Sequence, residues 1–208
     1  MSLDTFANLK TAIADTLDRD SSDLQIEDFI TLAEARHKRS PDKGGIRIRQ
    51  MITREALTVN TRQVAMPTGF LEAINLRLLT NPVTVLTYVN YHEMARIRKE
   101  DTGKPEFFTV GNEFEFNKSP DSAYNGEIIY YKAETALSDS SPTNNMLTAD
   151  PATYLYGALI ASAPFLTDDP RIALWKALYD EAAAGLNGIT KGGRVVGPLI
   201  SRVSGSTP

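Results

Sequence analysis

The sequence predicts an α+β protein: a helical bundle from the N- and C-terminal helices, with an inserted antiparallel β-rich subdomain and an extended C-terminal arm. Apolar residues recur at every third or fourth position near both ends of the chain. Alternating apolar and polar residues, rich in β-branched and aromatic side chains, fill the middle. The predicted bundle comprises residues 1–52 and 138–188, the insertion residues 53–137, and the arm residues 189–208. The helical ends should pack together because each presents an apolar stripe that must be covered.

Two N-terminal helices are predicted before the β-rich region. The first has Ser2 or Asp4 as its candidate N-cap, and the second ends before Pro41, because proline disfavours helix in the residue that precedes it. The predicted apolar faces comprise Phe6, Leu9, Ile13 and Leu17 in the first helix, and Ile26, Phe29, Ile30, Ala33 and His37 in the second. This spacing is typical of helices that are buried on one side.

Six or seven strands are predicted between Thr53 and Lys132. Asn60-Thr61 is a candidate hairpin turn between two of them, and Gly111-Asn112 is a candidate type II′ turn in a hairpin over Phe107–Phe116. The other predicted elements are strands at Ala73–Leu79, Val83–Val89 and Ile128–Tyr131, and one or two helical turns at Tyr91–Lys99. Ile46–Gln50 alternates apolar and basic residues, which indicates a strand or an exposed bridging segment.

A helical hairpin is predicted over Ala149–Gly188. Asp150 and Asp169 are candidate N-caps, each followed by a proline, which needs no amide hydrogen in the first helical turn. Asn187-Gly188 is expected to end the second helix in a left-handed conformation. The two apolar faces comprise Leu155, Ala158, Leu159, Ser162 and Leu166, then Ile172, Trp175, Tyr179, Ala182 and Leu186. We interpret the aromatic residues of the hairpin as core, with an interface stripe as the alternative; they are Tyr154, Tyr156, Trp175 and Tyr179.

Composition limits the possible classes of function. The chain of 208 residues carries 22 basic and 26 acidic residues, a net charge of -4, which argues against tight binding to nucleic acid. It has no cysteine, so it can form neither a disulfide nor a thiolate metal site. The N-terminus lacks the apolar run of a secretory signal, and no stretch approaches the roughly 20 apolar residues that span a bilayer. We therefore expect a soluble protein that does not contact membranes.

The sequence offers few candidates for catalysis. His37 and His92 have no metal-ligand spacing, and Asp168-Asp169 is better explained by helix capping than by paired catalytic carboxylates. The glycine pair within Lys191–Arg194 follows a helix instead of linking a strand to a helix, as a phosphate-binding loop would. We therefore predict that the protein is not an enzyme and has no cofactor or metal site.

A basic run over Lys38–Arg54 is the best candidate for a charged surface. A solvated face is the simpler interpretation, and pairing with an acidic neighbour, including another copy of the chain, is the alternative. The candidate subunit-interface residues are Arg39, Lys43, Arg47, Arg49 and Arg54.

The C-terminal half resembles the head-to-tail adaptor (connector) proteins of tailed bacteriophages. The resemblance rests on the Ser138–Asn144 run, on Tyr154–Leu159, and on Pro164-Phe165-Leu166 followed by Asp168-Asp169. Trp175 and Tyr179-Asp180 complete it, and the N-terminal half agrees more loosely, through Ile26–Ala35 and Ala65–Glu72.

The resemblance implies a structural virion protein of the neck, assembled in the host cytoplasm. Such adaptors form a ring, usually of twelve copies, that joins the capsid portal to the tail or nozzle proteins and surrounds the channel through which DNA is ejected. DNA would pass through without specific binding. The family often extends a C-terminal arm into the portal, and here the candidate portal-binding residues are Val195, Val196, Leu199, Ile200 and Val203.

Two other functions remain open. The chain could be a tail-completion or tail-terminator ring protein, which would not touch the portal. It could also be a small-molecule or glycan-binding module that uses Tyr88, Tyr91 and Phe107 of the β-rich insertion as a platform.

Overall fold

A computed structural model describes residues 3–18, 25–166 and 169–192, with side chains to residue 189. The chain divides into two compact units: a helical unit (residues 1–48 and 138–208) and a β unit (residues 49–137). The described α-helices are α1 (Phe6–Leu17), α2 (Ile26–His37), α3 (Tyr91–Ile97), α4 (Asn145–Ala149), α5 (Pro151–Ala161) and α6 (Ile172–Gly192). The strands are β1 (Ile52–Val59), β2 (Gln63–Ala65), β3 (Phe70–Leu78), β4 (Thr84–Val85), β5 (Thr87–Tyr88), β6 (Phe107–Val110), β7 (Glu113–Phe116) and β8 (Tyr124–Lys132). The predicted α+β class is confirmed.

Helix α5 is the centre of the helical unit, where it packs against α1, α2, α4 and α6. All residues of the apolar faces predicted for α1 and α2 are buried. Gly157 of α5 permits the close packing of three helices, since a Cβ atom at this position would lie 3.0 Å from the Ala33 Cβ atom and 3.4 Å from the Tyr179 ring. The core interpretation of the aromatic residues is confirmed for Tyr154, Trp175 and Tyr179, which are buried.

The helix caps agree in part with the sequence. The Asp150 carboxylate accepts a hydrogen bond from the Ala152 amide at 3.0 Å and caps α5, as predicted. Helix α1 is capped by Thr5, whose hydroxyl oxygen accepts from the Asn8 amide, and not by Asp4. Ser2, the other candidate cap, lies outside the described residues.

Helix α6 begins and ends later than predicted. Its first residue is Ile172 and not Pro170. In the turn before the helix the Asp169 carboxylate accepts from the Arg171 amide at 2.8 Å, the same contact that Asp150 makes with Ala152 at the start of α5. The predicted stop at Asn187-Gly188 is wrong, since α6 continues to Gly192. The Asn187 side chain makes tertiary hydrogen bonds to residues 45 and 47, so it does not serve to end the helix.

The β unit consists of two four-stranded sheets with the orders β1-β8-β3-β4 and β2-β7-β6-β5. All strand pairs are antiparallel except β5 with β6, which is parallel. Apolar residues of both sheets form a common core, which contains Val59, Leu76, Leu78, Leu86, Phe108, Phe114, Phe116, Ile128 and Tyr130. The Phe70 ring of the first sheet meets the Phe114 ring of the second edge-on at 5.4 Å. The unit is therefore a small β-sandwich.

The strand partners differ from two of the predictions. The hairpin predicted at Asn60-Thr61 is wrong, because β1 pairs over eight residues with β8 while β2 pairs with β7 in the other sheet. The single strand predicted over Val83–Val89 is interrupted at Leu86, where the chain passes from one sheet to the other. The Leu86 amide donates to the Leu76 carbonyl at 2.8 Å, and the next amide, of Thr87, donates to the Glu106 carbonyl at 3.0 Å.

The predicted hairpin of β6 and β7 is confirmed, but its turn is not of type II′. That turn requires a positive φ angle at Gly111, which this residue does not adopt. A Cβ atom at Gly111 would lie 1.6 Å from the hydroxyl oxygen of Tyr91 in α3, so this exposed side chain would have to move to admit a larger residue. Helix α3 itself lies within the predicted Tyr91–Lys99 segment.

Candidate interaction surfaces

The five candidate interface cations are divided between the two units. Arg39, Lys43 and Arg47 belong to the helical unit, whereas Arg49 and Arg54 belong to the β unit. Arg54 lies 3.6 Å from the Glu127 carboxylate, which also pairs with Arg77 at 2.6 Å on the outer face of the first sheet. The basic run is therefore not one continuous feature of a single unit.

Arg47 is buried, so the exposed basic surface that was predicted does not include it. Its guanidinium donates to the Ile46 carbonyl at 2.8 Å and lies 3.5 Å from the carbonyls of His37 and Lys38. Its backbone amide donates to the Asn187 side chain at 2.9 Å. Ile46 and Ile48 are buried as well, so the predicted Ile46–Gln50 segment is not a strand, and only Arg49 and Gln50 are exposed. It joins the end of α2 to α6.

Four cations of the helical unit, three of them exposed, lie around the C-terminal end of α2. This basic end comprises Arg36, Lys38, Arg39 and Lys43, and within the described ranges none of the four forms an ion pair. A cleft of about 450 Å³ opens beside it, between the Pro41–Lys43 turn and α6. The Arg36 guanidinium lies over the Tyr179 ring at 5.3 Å, on one side of this cleft.

Tyr179 of α6 holds the loop around Gly44 in place at the side of this cleft. Its hydroxyl donates to the Gly44 carbonyl at 2.7 Å, and burial raises the pKa of Tyr179 to about 12, so the hydroxyl stays protonated and remains a donor. Gly44 has φ 78°, a left-handed conformation that favours glycine. The neighbouring Asn187 side chain donates to the Gly45 carbonyl at 3.0 Å. These contacts hold the loop after α2 against α6.

His37 lies inside the helical unit and not at a reactive surface. Its ring meets the Tyr154 ring edge-on at 4.8 Å and stacks at 6.1 Å from the Tyr179 ring. Burial lowers the pKa of His37 from 6.5 to about 4, and the Thr153 backbone offsets only part of this effect. Neither ring nitrogen has a hydrogen bond of ordinary geometry to the described residues. His37 is therefore neutral near pH 7 and acts as an aromatic core residue.

A second cleft, of about 520 Å³, lies in the β unit between β3 and the β5–β6 edge. Strand β4 pairs with only Arg77 and Leu78, which leaves the rest of the outer β3 edge without a partner strand in the part of the chain described. Of the proposed ligand platform, Tyr88 lines this cleft and is 59% exposed, whereas Tyr91 and Phe107 do not line it. The platform is therefore not assembled around this cleft.

The other residues singled out in the sequence either lie outside the described residues or are exposed without belonging to a site. Val195, Val196, Leu199, Ile200 and Val203 lie outside the described residues, as does Asp168. His92 is exposed at the start of α3. The described residues contain no group of three or more potential metal ligands, and none of their helices is long and apolar enough to cross a bilayer.

Sequence reasoning missed an acidic cluster at the other end of α2. Lys10 of α1 pairs with Glu27 at 2.9 Å and with Asp139 at 3.3 Å. Asp28 is adjacent to Glu27, and both are exposed. The acidic first turn of α2 is visible in the sequence, but the approach of Asp139 depends on the tertiary fold.

Comparison with known families agrees with the resemblance found in the sequence. The chain matches the SU10 adaptor protein family over residues 4–202. A comparison with curated proteins gives no significant match. Because the family match extends over most of both units, the protein belongs to the SU10 adaptor family, a family of phage head-to-tail adaptor proteins.

Proposed function

We propose that the protein forms a ring in the neck of the virion, where it joins the capsid portal to the tail or nozzle proteins and lines the DNA channel. The family match over residues 4–202 carries this proposal. The net charge of -4 suits a channel wall that must let DNA pass without holding it. In this proposal the ring contains twelve copies and is assembled in the host cytoplasm.

The proposed role is structural and not catalytic. The buried His37 serves the packing of α2, α5 and α6, and the Asp169 carboxylate binds the Arg171 backbone and side chain. These two candidates for acid–base chemistry therefore have structural contacts in the helical unit.

We further propose that the chain has the predicted domain plan, with a bundle, an inserted β subdomain and an arm. The arm would follow α6 and would bind the portal through Val195, Val196, Leu199, Ile200 and Val203. An arm that orders on docking can bury a large surface from a small subunit, at the cost of its conformational entropy. Helix α6 occupies the first residues of the predicted arm, to Gly192.

Deletion of Val195–Pro208 tests the arm. The truncated protein should keep its far-ultraviolet circular dichroism spectrum but lose binding to purified portal rings in a pull-down. Deletion of Ser204–Pro208 is the matched control, because it shortens the chain but keeps all five apolar residues, and it should bind portal like the full chain. Undiminished binding by the longer deletion would refute the arm. A full-length chain that binds tail proteins but not portal would instead indicate a tail-completion protein.

A further inference from the structure

Helix α2 separates the charges of the helical unit. Its N-terminal end carries Glu27 and Asp28, and Lys10 pairs there with Glu27 and Asp139; we call these three carboxylates the acidic end. Its C-terminal end leads into the basic end defined above, where residues 36–43 contain four cations and one carboxylate, Asp42. Carboxylates at the N-terminal end and cations at the C-terminal end of a helix interact favourably with its dipole. Here the separation of charge extends beyond α2, because Asp139 and Lys43 lie outside the helix.

The two ends are too far apart to neutralise each other. Glu27 and Lys38 lie about 16 Å apart along the helix axis, at about 1.5 Å per residue. This distance exceeds the Debye length of about 8 Å at physiological ionic strength. Phe29, Ile30 and Ala33 anchor α2 in the core, so the spacing is fixed. Each end therefore presents a field of its own sign to an approaching molecule, because Lys10 offsets only part of the charge of the acidic end.

The ends also differ in shape. The basic end borders the cleft of about 450 Å³, in which Arg36 and Lys43 face the side chains of α6. Lys176 and Asp180 on α6 already pair at 2.5 Å, so Arg36 and Lys43 remain to receive carboxylates. At the acidic end, Lys10 pairs with Glu27 and Asp139 and holds these two carboxylates close together.

We propose that the acidic end of one copy docks at the basic end of the next copy, and that this head-to-tail contact closes the ring. The inference rests on the proposed ring. A ring requires two different surfaces on each subunit, and the opposite charges at the ends of α2 supply such a pair on one rigid element. Complementary fields favour this encounter and oppose contacts between like ends.

Two triple charge reversals test the contact in the full chain. The basic-end variant is Lys38→Glu with Arg39→Glu and Lys43→Glu, and the acidic-end variant is Glu27→Lys with Asp28→Lys and Asp139→Lys. Assembly is measured by sedimentation velocity and by native mass spectrometry, both for the free protein and on purified portal rings. Each variant should raise the protein concentration needed for ring assembly by at least about tenfold. A variant with all six substitutions should restore assembly, because the acidic and basic ends have then exchanged their charges and can still pair.

A matched control reverses three exposed lysines of the β unit, Lys99→Glu with Lys104→Glu and Lys132→Glu, and should assemble like the wild type. Because Glu27→Lys places a cation beside Lys10, a milder neutral variant, Glu27→Gln with Asp28→Asn and Asp139→Asn, guards against misfolding.

Raising the salt from about 0.1 M to about 1 M shortens the Debye length from about 10 to about 3 Å and should weaken wild-type assembly.

The outcomes separate this contact from the ring itself. If both triple variants form rings as readily as the wild type, the head-to-tail contact is wrong but the ring stands. The same follows if the variant with all six substitutions folds but does not assemble. A charge-sensitive two-fold dimer as the only assembly would also overturn the head-to-tail contact. Absence of wild-type rings both in solution and on portal would refute the ring and, with it, this inference.

Discussion

Acidification should lower the free energy of unfolding of the helical unit through the protonation of His37. Burial against Tyr154 and Tyr179 lowers the pKa of this imidazole from 6.5 to about 4, because the charged form cannot be solvated there. In the unfolded chain the imidazole takes up a proton near its ordinary pKa, so the unfolded state binds more protons between these two values. Stability is therefore fully present above about pH 6.5, falls as the pH decreases toward 4, and loses nothing more from this group below that.

The size of the effect follows from the shift. At about 1.4 kcal/mol per pKa unit, the change from 6.5 to about 4 corresponds to about 3 kcal/mol of unfolding free energy. This is a large fraction of the stability of an ordinary domain. Carboxylates elsewhere also titrate in this range, so the effect of His37 must be measured as a difference between two proteins.

Trp175 provides the assay, because it is the single tryptophan of the chain and is buried in the helical unit. Its fluorescence should follow urea unfolding of this unit from pH 7 to pH 4. His37→Leu removes the titrating group and should lose about 3 kcal/mol less than the wild type over this interval. The control is His92→Gln, which replaces an exposed histidine of the β unit and should retain the wild-type pH dependence of stability. Parallel losses in the wild type and His37→Leu would refute the reasoning.

Three further changes should destabilise the helical unit, each measured by urea unfolding with Trp175 fluorescence. Gly157→Val should cost about 1–3 kcal/mol through overpacking against Ala33 at 3.0 Å, and an unchanged midpoint would show that the helices can move apart. Asp150→Ala should cost about 1 kcal/mol by removing the α5 cap, whereas Asp150→Ser should recover most of this. Asn187→Ala should cost about 1–3 kcal/mol, because a buried amide and a carbonyl lose their partners; wild-type stability would mean that water replaces the side chain.

The sequence predicted the helices better than their ends. The faces of α1 and α2 were identified completely, since a repeat of three or four residues is a local consequence of burial on one side. The end of α6 was missed because Asn187-Gly188 is a common stop signal, but here the Asn187 side chain binds the segment around Arg47. A tertiary contact thus outweighed a local preference.

Strand pairing and burial of charge could not be predicted in the same way. Nothing local to Asn60-Thr61 shows that β1 has a longer partner, β8, far along the chain. The alternation around Arg47 indicated an exposed cation, yet its guanidinium is buried and donates to the Ile46 carbonyl, near the carbonyls at the end of α2. For the candidate interface, the sequence identified exposed cations such as Arg39 and Lys43 but not the approach of Asp139 to Lys10, which only the fold creates.

The passage of the chain through Leu86 limits how far the two sheets of the β unit can separate. Two successive amides bind opposite sheets there, with Leu86 donating to Leu76 and Thr87 donating to Glu106. This one peptide unit therefore connects the two sheets at this edge, and separating the sheets here would break at least one of the two hydrogen bonds. We therefore expect the neighbouring cleft to widen more readily along the part of β3 that β4 does not pair with than at its end beside Leu86.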